Sequence, residues 1–346
     1  MVLSPSRGTR FLEEVREAVT GRAALLVVGV LVLQLAFIAS YVGAFHSPKP
    51  KDIPLGVVAP PRVGEELVGK LAALPGDPLD PRTVSDEAAA VRRIRERDLD
   101  AALIVDPRGD TDTLLVAGGS GASLAQATEA VVTSAEQAQR RSVKVTDVAP
   151  AASGDSRGLT SFYLVVGWCV GGYLCAAILA ISAGARPANP HRAVIRLAAI
   201  ALYAIGSGLL GAVIAGPVLG ALPGSIAGLW GVGALVVFAV GALTLALQGL
   251  AGVVGIGLAI AIVVVLGNPS AGGAYPYPLL PPFWRTIGPA LPPGAGTWSA
   301  RSIAYFRGNA LTCPLLVLSA WAAAGTVATL WSAAFRARKG QTERSV

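Results

Sequence analysis

The tract from Leu197 to Gly267 contains no Asp, Glu, Lys, Arg or His. A helix needs about 20 apolar residues to cross a bilayer, so this tract of roughly 70 residues is long enough for three crossings. The sequence therefore predicts an integral membrane protein. Proton- and ion-coupled carriers usually keep an ionisable group near the bilayer midplane, and the absence of charge argues against such a relay in this tract.

The composition of the whole chain agrees with a membrane protein. Hydrophobic residues make up 53% of the 346 positions and charged residues only 14%, a balance that is unusual for a soluble domain. The net charge is +7, but many of the basic residues flank apolar segments, where orientation in the membrane explains them. We therefore expect no nucleic-acid partner.

The sequence shows no cluster of residues suited to catalysis. All three cysteines fall in or beside predicted membrane helices, which indicates neither a disulfide framework nor a metal site; they are Cys169, Cys175 and Cys313. The only histidines, His46 and His191, have no credible catalytic partners. The glycine-rich run at 118–123 lacks the lysine of a phosphate-binding loop. We expect no enzymatic activity, and no cofactor or metal bound by this chain.

The apolar runs predict an α-helical membrane protein with six transmembrane helices, one before and five after a soluble domain. The predicted spans are residues 23–45 (TM1), 159–185 (TM2), 197–219 (TM3), 226–247 (TM4), 250–267 (TM5) and 311–335 (TM6). A cleaved signal peptide has an apolar core of only about 7–15 residues, so we expect TM1 to remain as a membrane helix. An alternative in which TM4 and TM5 form a re-entrant hairpin would leave the topology unchanged.

Arginine-rich flanks predict the orientation of the chain. They precede TM1, separate TM2 from TM3 and follow TM6, which indicates that residues 1–22, the loop at 186–196 and the tail at 336–346 are cytoplasmic. Six crossings place these three segments on the same side. The Ala-, Gly-, Val- and Arg-rich composition is typical of a GC-rich bacterial source, so we expect a multi-pass plasma-membrane protein with both termini in the cytoplasm.

Residues 46–158 are charged and proline-rich, and we expect them to form an extracytoplasmic α/β domain between TM1 and TM2. Short apolar runs alternate there between strand and helix periodicity. The pattern predicts strands at 53–59, 101–105, 113–117 and 143–148, and helices at 63–74, 85–98 and 123–141.

Pairs of glycines four residues apart predict close packing between the membrane helices of one chain. Dimerisation of two chains is the alternative interpretation of the same spacing. The pairs are Gly167 and Gly171, Gly216 and Gly220, and Gly224 and Gly228.

The segment 268–310 is too polar and too rich in Pro and Gly to cross a bilayer, so we expect an extracytoplasmic loop. Its interleaved aromatic residues favour an ordered element over a flexible connector. The candidate residues of this loop are Asn268, Pro269, Gly272, Gly273, Pro276, Pro281, Phe283, Trp284, Pro292 and Arg301.

Residues Phe11 to Ala18 place charges beside apolar residues, which suits a short helix lying along the membrane surface. A solvated tail is the alternative. The charged members of this run are Glu13, Glu14, Arg16 and Glu17.

The layout and several short runs resemble a known family. The stretch from Asp86 to Pro107 reads as a helix, a gap and an apolar strand ending in proline. The 268–310 loop carries Gly272-Gly273-Ala274-Tyr275-Pro276, Leu280-Pro281, Phe283, Leu291-Pro292 and Arg301. Together with the one-plus-five arrangement of helices, these runs resemble the type-2 ABC exporter permeases, in particular their phage-infection-protein branch and related actinobacterial membrane proteins.

This resemblance implies a homodimeric permease that docks on a separate nucleotide-binding ATPase, which would hold the ATP. The helix containing Glu13, Glu14 and Arg16 would be the connector helix. The ATPase would push on a cytoplasmic coupling element whose residues are Arg186, Pro187, Asn189, Pro190, His191, Arg192 and Arg196.

Two functions follow as hypotheses. In the first, the chain moves an unidentified hydrophobic or amphipathic substrate outward, with membrane lipid and an ATPase subunit as its partners. In the second, it transports nothing, and its extracytoplasmic domain binds a ligand, a cell-wall component or a protein partner. An anchor needs only one helix, so the five further spans favour transport.

Overall fold

The computed structural model describes residues 20–184, 186–187 and 189–342. This part of the chain is mostly helical, with several long apolar helices and one small mixed sheet. The first helix, α1 (Gly21–Phe45), begins where the side chain of Thr20 accepts a hydrogen bond from the Ala23 amide. The predicted surface helix, with Glu13, Glu14 and Arg16, lies outside the described residues.

The sheet domain follows α1 directly and contains five strands and three helices. Its elements are β1 (Ile53–Val58), α2 (Pro61–Ala72), β2 (Leu79–Thr83), α3 (Glu87–Arg95), β3 (Ala101–Ile104), β4 (Thr111–Val116), α4 (Ala122–Ala138) and β5 (Ser142–Asp147). The strand order is β2-β1-β3-β4-β5. β3 and β4 pair antiparallel and the other neighbours pair parallel. In the centre of the sheet, Leu103 lies opposite Leu114.

Alternating side chains of the central strands fill two separate cores, because successive residues of a strand point to opposite faces. Leu103 and Leu114 belong to the core covered by α2 and α4. Ala102 and Leu115 belong to the core on the other face, which α3 covers. This second core also contains Phe306, a residue that lies outside the sheet domain in sequence.

The remaining helices form a bundle. They are α5 (Thr160–Ala183), α6 (Pro190–Val213, continued by a wider turn at Ile214–Val218), α7 (Ile226–Ala251), α8 (Val254–Ser270), α9 (Pro282–Ile287), α10 (Pro292–Tyr305) and α11 (Thr312–Thr342). Within the described residues, five helices are long and apolar enough to cross a membrane, namely α1, α5, the extended α6, α7 and α11. These helices indicate a membrane-embedded protein.

α7 lies at the centre of the bundle and packs against α5, α6 and α11. More than half of its most apolar stretch is buried, whereas only 6% of the corresponding stretch of α1 is buried. α1 packs mainly through its last turns, which contact the second half of α8. The apolar side chains along the rest of α1, such as Leu25 and Val30, therefore remain exposed.

The predicted fifth span, 250–267, differs most from the structure. α7 continues to Ala251, and Gly252 then reverses the chain with a positive φ of 64°. The apolar helix that follows, α8, has only 17 residues and is shorter than the five candidate spans. Five of the six predicted membrane helices thus correspond to long apolar helices among the described residues, and the predicted fifth span corresponds to the shorter α8.

Three elements were not among the predicted ones, namely β2, α9 and α10. β2 contains Pro81, which is tolerated because β2 is an edge strand. In the 268–310 segment, predicted as a loop, α10 runs from Pro292 to Tyr305 and is largely buried. α10 begins with Pro292 and Pro293, whose missing amide protons cost nothing in a first helical turn.

Candidate functional site

The sheet domain meets the bundle at α10, and this junction contains several buried polar side chains, among them Ser120, Arg301 and Ser302. α10 contacts α5, α7 and α11, and its other side meets the Gly118–Ser120 turn of the sheet domain. Small residues near its start, such as Gly296, allow this close packing, because a side chain there would strike Val165 of α5. α10 therefore connects the sheet domain with three of the long helices.

Arg301 of α10 is only 3% exposed and joins three parts of the chain. One terminal nitrogen donates to the Gly272 carbonyl at 2.6 Å, and the other donates to Gly273 at 2.8 Å and to Gly158 at 3.0 Å. Its Nε is buried without a hydrogen-bond partner among the described residues. Burial lowers the pKa of Arg301 to about 10. The predicted residues Arg301, Gly272 and Gly273 thus lie together.

Arg97 reaches α10 from the end of α3. It adopts a positive φ of 63°, and one terminal nitrogen donates to the Trp298 carbonyl at 3.0 Å and to the Ser302 hydroxyl at 2.8 Å. Its guanidinium lies over the Trp298 ring, with Cζ 3.5 Å from the ring centroid. Desolvation and the nearby charge of Arg301 lower the pKa of Arg97 to about 9. In the sequence, Arg97 was only one charge within a charged run.

Between these two arginines lies a cavity of about 180 Å³. Asp100 and Tyr277 are among its lining residues, as are Asp52 and Arg285, which form an ion pair at 3.0 Å. Burial raises the pKa of Asp100 to about 6, and the charge of Arg97 opposes part of that rise. The cavity is therefore lined by side chains of both charges.

Further hydrogen bonds cross the same junction. The Tyr305 hydroxyl donates to Asp155 at 2.6 Å, and the other oxygen of Asp155 accepts from the amide and hydroxyl of Thr160 at the start of α5. Burial and the bond to Asp155 raise the pKa of Tyr305. The Asn309 amide donates to the Arg95 carbonyl at 2.9 Å. The sheet domain is thus held on the bundle by several independent contacts.

The other candidate residues of the 268–310 segment lie at different depths. Asn268 and Pro269 are buried at the end of α8, and Pro276 packs over Gly121 of the sheet domain. Pro281 precedes α9, and Pro292 begins α10. Phe283 is 57% exposed and contacts Trp284 edge to face at the rim of the segment.

At the opposite end of the bundle, three arginines cap helix ends. Arg196 donates to the carbonyls of Ala183 and Gly184 at 2.8 and 2.7 Å, where α5 ends. Arg186 donates to Leu250 at 3.3 Å and Arg336 donates to Gly249, where α7 ends. Such contacts satisfy carbonyls that have no partner within their own helix.

The other predicted coupling residues form the start of α6. The Asn189 side chain accepts from the Arg192 amide at 2.9 Å, and Pro190 occupies the first turn. His191 and Arg192 are exposed, whereas Pro187 is buried.

The six predicted packing glycines divide into two groups. Side chains at Gly171, Gly224 and Gly228 would press against Tyr203 or Ile303. The other three have open space or only ordinary contact around them: Gly167, Gly216 and Gly220. The closest helix–helix approaches occur at glycines outside that prediction, such as Gly172 and Gly208, where a side chain would strike the backbone of α7.

An apolar groove of about 990 Å³ runs between α5 and α6. Tyr163, Trp168 and Tyr203 line it, together with open backbone at Gly167 and Gly206. None of its lining residues carries a charge.

No protein-family model, curated protein or solved structure matches this chain. The function therefore has to be inferred from the geometry of the junction, the groove and the capped helix ends.

Proposed function

We propose that this chain is the permease subunit of an ABC-type exporter, which moves a hydrophobic or amphipathic substrate outward with energy from a separate ATPase subunit. The observation that carries the proposal is the position of α10, which packs against α5, α7 and α11 and also binds the sheet domain through Arg97 and Arg301. A surface domain that only needed an anchor would require one helix and no such contacts. A connection of this kind allows helix movements to reach the sheet domain.

The proposal includes six passes through a bacterial plasma membrane, with α8 as the fifth. At 1.5 Å per residue, the 17 residues of α8 span about 25 Å, close to the roughly 30 Å of the hydrocarbon core. α8 starts beside the end of α7 at Gly255 and finishes against the last turns of α1. Six passes put both termini and the connection between α5 and α6 on one side, and the arginines of this connection favour the cytoplasm.

The groove between α5 and α6 is the substrate path that the proposal favours. Its walls are apolar and uncharged, and Tyr163 and Tyr203 add hydroxyl groups. Such a surface suits a molecule with a long apolar part and a small polar group.

A second copy of the chain completes the proposed permease. α1 buries only 6% of its apolar stretch within one copy. Packing against another copy would cover part of its exposed side, which includes Leu25, Val30 and Leu35.

The ATPase would act on the exposed start of α6. His191 and Arg192 are free to meet a partner, whereas Arg186, Arg196 and Arg336 hold the ends of α5 and α7 together. Force applied at His191 would therefore act on a connected set of helix ends.

The test is crosslinking in native membranes followed by purification of the full chain in mild detergent. We expect a nucleotide-binding subunit to be recovered with the wild-type chain and to be lost from His191→Ala/Arg192→Ala. Arg140→Ala, an exposed arginine of the sheet domain, is the matched control and should retain it. Failure to recover any nucleotide-binding subunit with the wild-type chain would overturn the proposal.

One observation favours the second candidate, a non-transporting protein whose sheet domain binds a ligand. The cavity beside Asp100 and Arg301 is polar and small, unlike a path for an apolar substrate. Ligand binding without any associated ATPase would select this candidate.

A further inference from the structure

The two arginines of the junction cavity lack carboxylate partners. Among the described residues, neither Arg97 nor Arg301 forms an ion pair within 4 Å, although ion pairs with carboxylates occur elsewhere in the sheet domain. Arg97 instead donates to a carbonyl and a hydroxyl oxygen and lies over the Trp298 ring. Arg301 donates to backbone carbonyl oxygens. The buried Nε of Arg301 still has no acceptor. A buried donor without an acceptor is uncommon in folded proteins.

The cavity also contains one carboxylate without a donor. Asp52 pairs with Arg285 and Asp98 pairs with Arg93, so both of these rim carboxylates are engaged. Asp100 accepts no hydrogen bond from any described residue and interacts with Arg97 and Arg285 only through longer-range charge. A carboxylate in this position can accept hydrogen bonds from a cation.

The size of the cavity limits the ligand. About 180 Å³ corresponds to roughly six water molecules at about 30 Å³ each. This is close to the five or six non-hydrogen atoms of glycine or alanine. The remaining wall is apolar or aromatic, with Leu99, Tyr277 and Trp298, and suits a short side chain.

We propose that the junction cavity binds a small zwitterionic amino acid. Its carboxylate pairs with the guanidiniums of Arg97 and Arg301, and its ammonium group pairs with Asp100. A zwitterion adds no net charge to the cavity, so it can satisfy both signs of buried charge together. This site does not depend on the proposed ATPase partnership, and its binding can be measured without nucleotide.

Occupation of this site would also strengthen the junction. Arg97 and Asp100 belong to the sheet domain, whereas Arg301 belongs to α10. A ligand that contacts all three therefore bridges the sheet domain and the bundle, and it should raise the stability of their contact.

The test is isothermal titration of the full chain in detergent, with glycine, L-alanine and L-serine as probes and with acetate and methylammonium as single-charge controls. We expect at least one of the three amino acids to bind and to raise the melting temperature, with affinity at least tenfold above that of acetate or methylammonium. Absence of binding by all three amino acids would overturn the proposal, as would acetate binding as tightly as the best of them.

Matched variants separate binding from folding. Asp100→Asn keeps the shape of the side chain and should weaken amino-acid binding at least tenfold, whereas Asp110→Asn, at an exposed position of the sheet domain outside the cavity, should leave it within twofold. Arg97→Lys retains the charge but loses the planar fork, and should also weaken binding. Each variant must elute as the wild type does on size exclusion. Equal losses in Asp110→Asn and Asp100→Asn would contradict the assignment of the ammonium contact.

Discussion

The guanidinium of Arg97 stacks on the ring of Trp298 at 3.5 Å and donates to the carbonyl of the same residue at 3.0 Å. One side chain of the sheet domain thus binds both the ring and the backbone of a single residue of α10. The Tyr277 ring extends this stack on Trp298, with its centroid 6.1 Å away and the planes 16° apart. Arg97 and Trp298 therefore form a localised attachment point between the sheet domain and the helix bundle.

Replacement of Arg97 by alanine should weaken this attachment. A cation–π contact and two charge-assisted hydrogen bonds would be lost, so we expect the free energy of unfolding to fall by roughly 2–4 kcal/mol. Thermal unfolding in detergent measures this change. Arg95→Ala removes an exposed arginine that contributes only its backbone carbonyl to the junction, and it should melt like the wild type. Equal melting of Arg97→Ala and Arg95→Ala would show that the stack contributes nothing.

Tyr305→Phe tests the second attachment point. The substitution removes the donor from one oxygen of Asp155 and leaves that buried oxygen without a partner. We expect a destabilisation of about 1–3 kcal/mol, measured by thermal unfolding. Tyr163→Phe serves as the control because Tyr163 is 62% exposed. A wild-type melting temperature for Tyr305→Phe would mean that water replaces the lost hydroxyl without cost.

The sheet domain should lose stability as the pH rises towards neutrality. Glu136 is 1% exposed, and burial together with the charge of Asp112 raises its pKa from 4.5 to about 7. The folded state therefore holds a proton between about pH 4.5 and 7 that the unfolded state releases. Stability contributed by this proton is present below pH 4.5 and is lost as the pH rises through 7.

Glu136→Gln should remove the part of this dependence that comes from Glu136, because glutamine keeps the shape of a protonated glutamate at every pH. Unfolding measured from pH 5 to 8 should give a flatter profile for Glu136→Gln and a higher stability than the wild type at pH 8. Glu129→Gln, an exposed glutamate on the same helix, should keep the wild-type slope. A parallel decline in Glu136→Gln and the wild type would assign the pH dependence to other groups.

Two glycines of α6 provide a matched test of helix packing. A side chain at Gly208 would lie 2.5 Å from the Ala234 amide nitrogen, whereas one at Gly206 has nothing within 4 Å. Gly208→Ala should therefore separate α6 from α7 and lower the melting temperature, because small residues permit such close approach. Gly206→Ala should be neutral or slightly stabilising, since alanine favours helix over glycine. Similar melting of the two variants would indicate that α6 and α7 shift apart without cost.

Apolar length explains why the long helices were predictable from the sequence. α1 and α5 begin and end within two residues of the predicted spans, because their hydropathy changes abruptly at both ends. The break between α7 and α8 was harder to place. Gly252 lies within an apolar run, so composition did not reveal where the chain reverses.

The junction was predictable only in part. Arg301 was named among the candidate residues of the 268–310 segment, but the pattern gave no sign of its three carbonyl partners. Arg97 stands in a run of charged residues that is typical of a solvated helix, and its role depends on Trp298, about 200 positions away. Contacts between such distant residues leave no local periodicity. α10 was missed because Pro and Gly usually indicate a loop, whereas here they permit tight burial.

The position of Phe306 bears on how the protein is made. This side chain completes one core of the sheet domain, yet the ribosome adds it about 160 residues after the last strand of the sheet has been synthesised. Until then, α3 and the residues directly after β5, such as Ala149, cover that face, and residues such as Ala102 and Leu115 lack part of their apolar cover. The sheet domain therefore matures only after most of the membrane helices have been synthesised. A chain truncated before Phe306 would expose this face, and a chaperone or quality-control protease could distinguish it from a finished molecule.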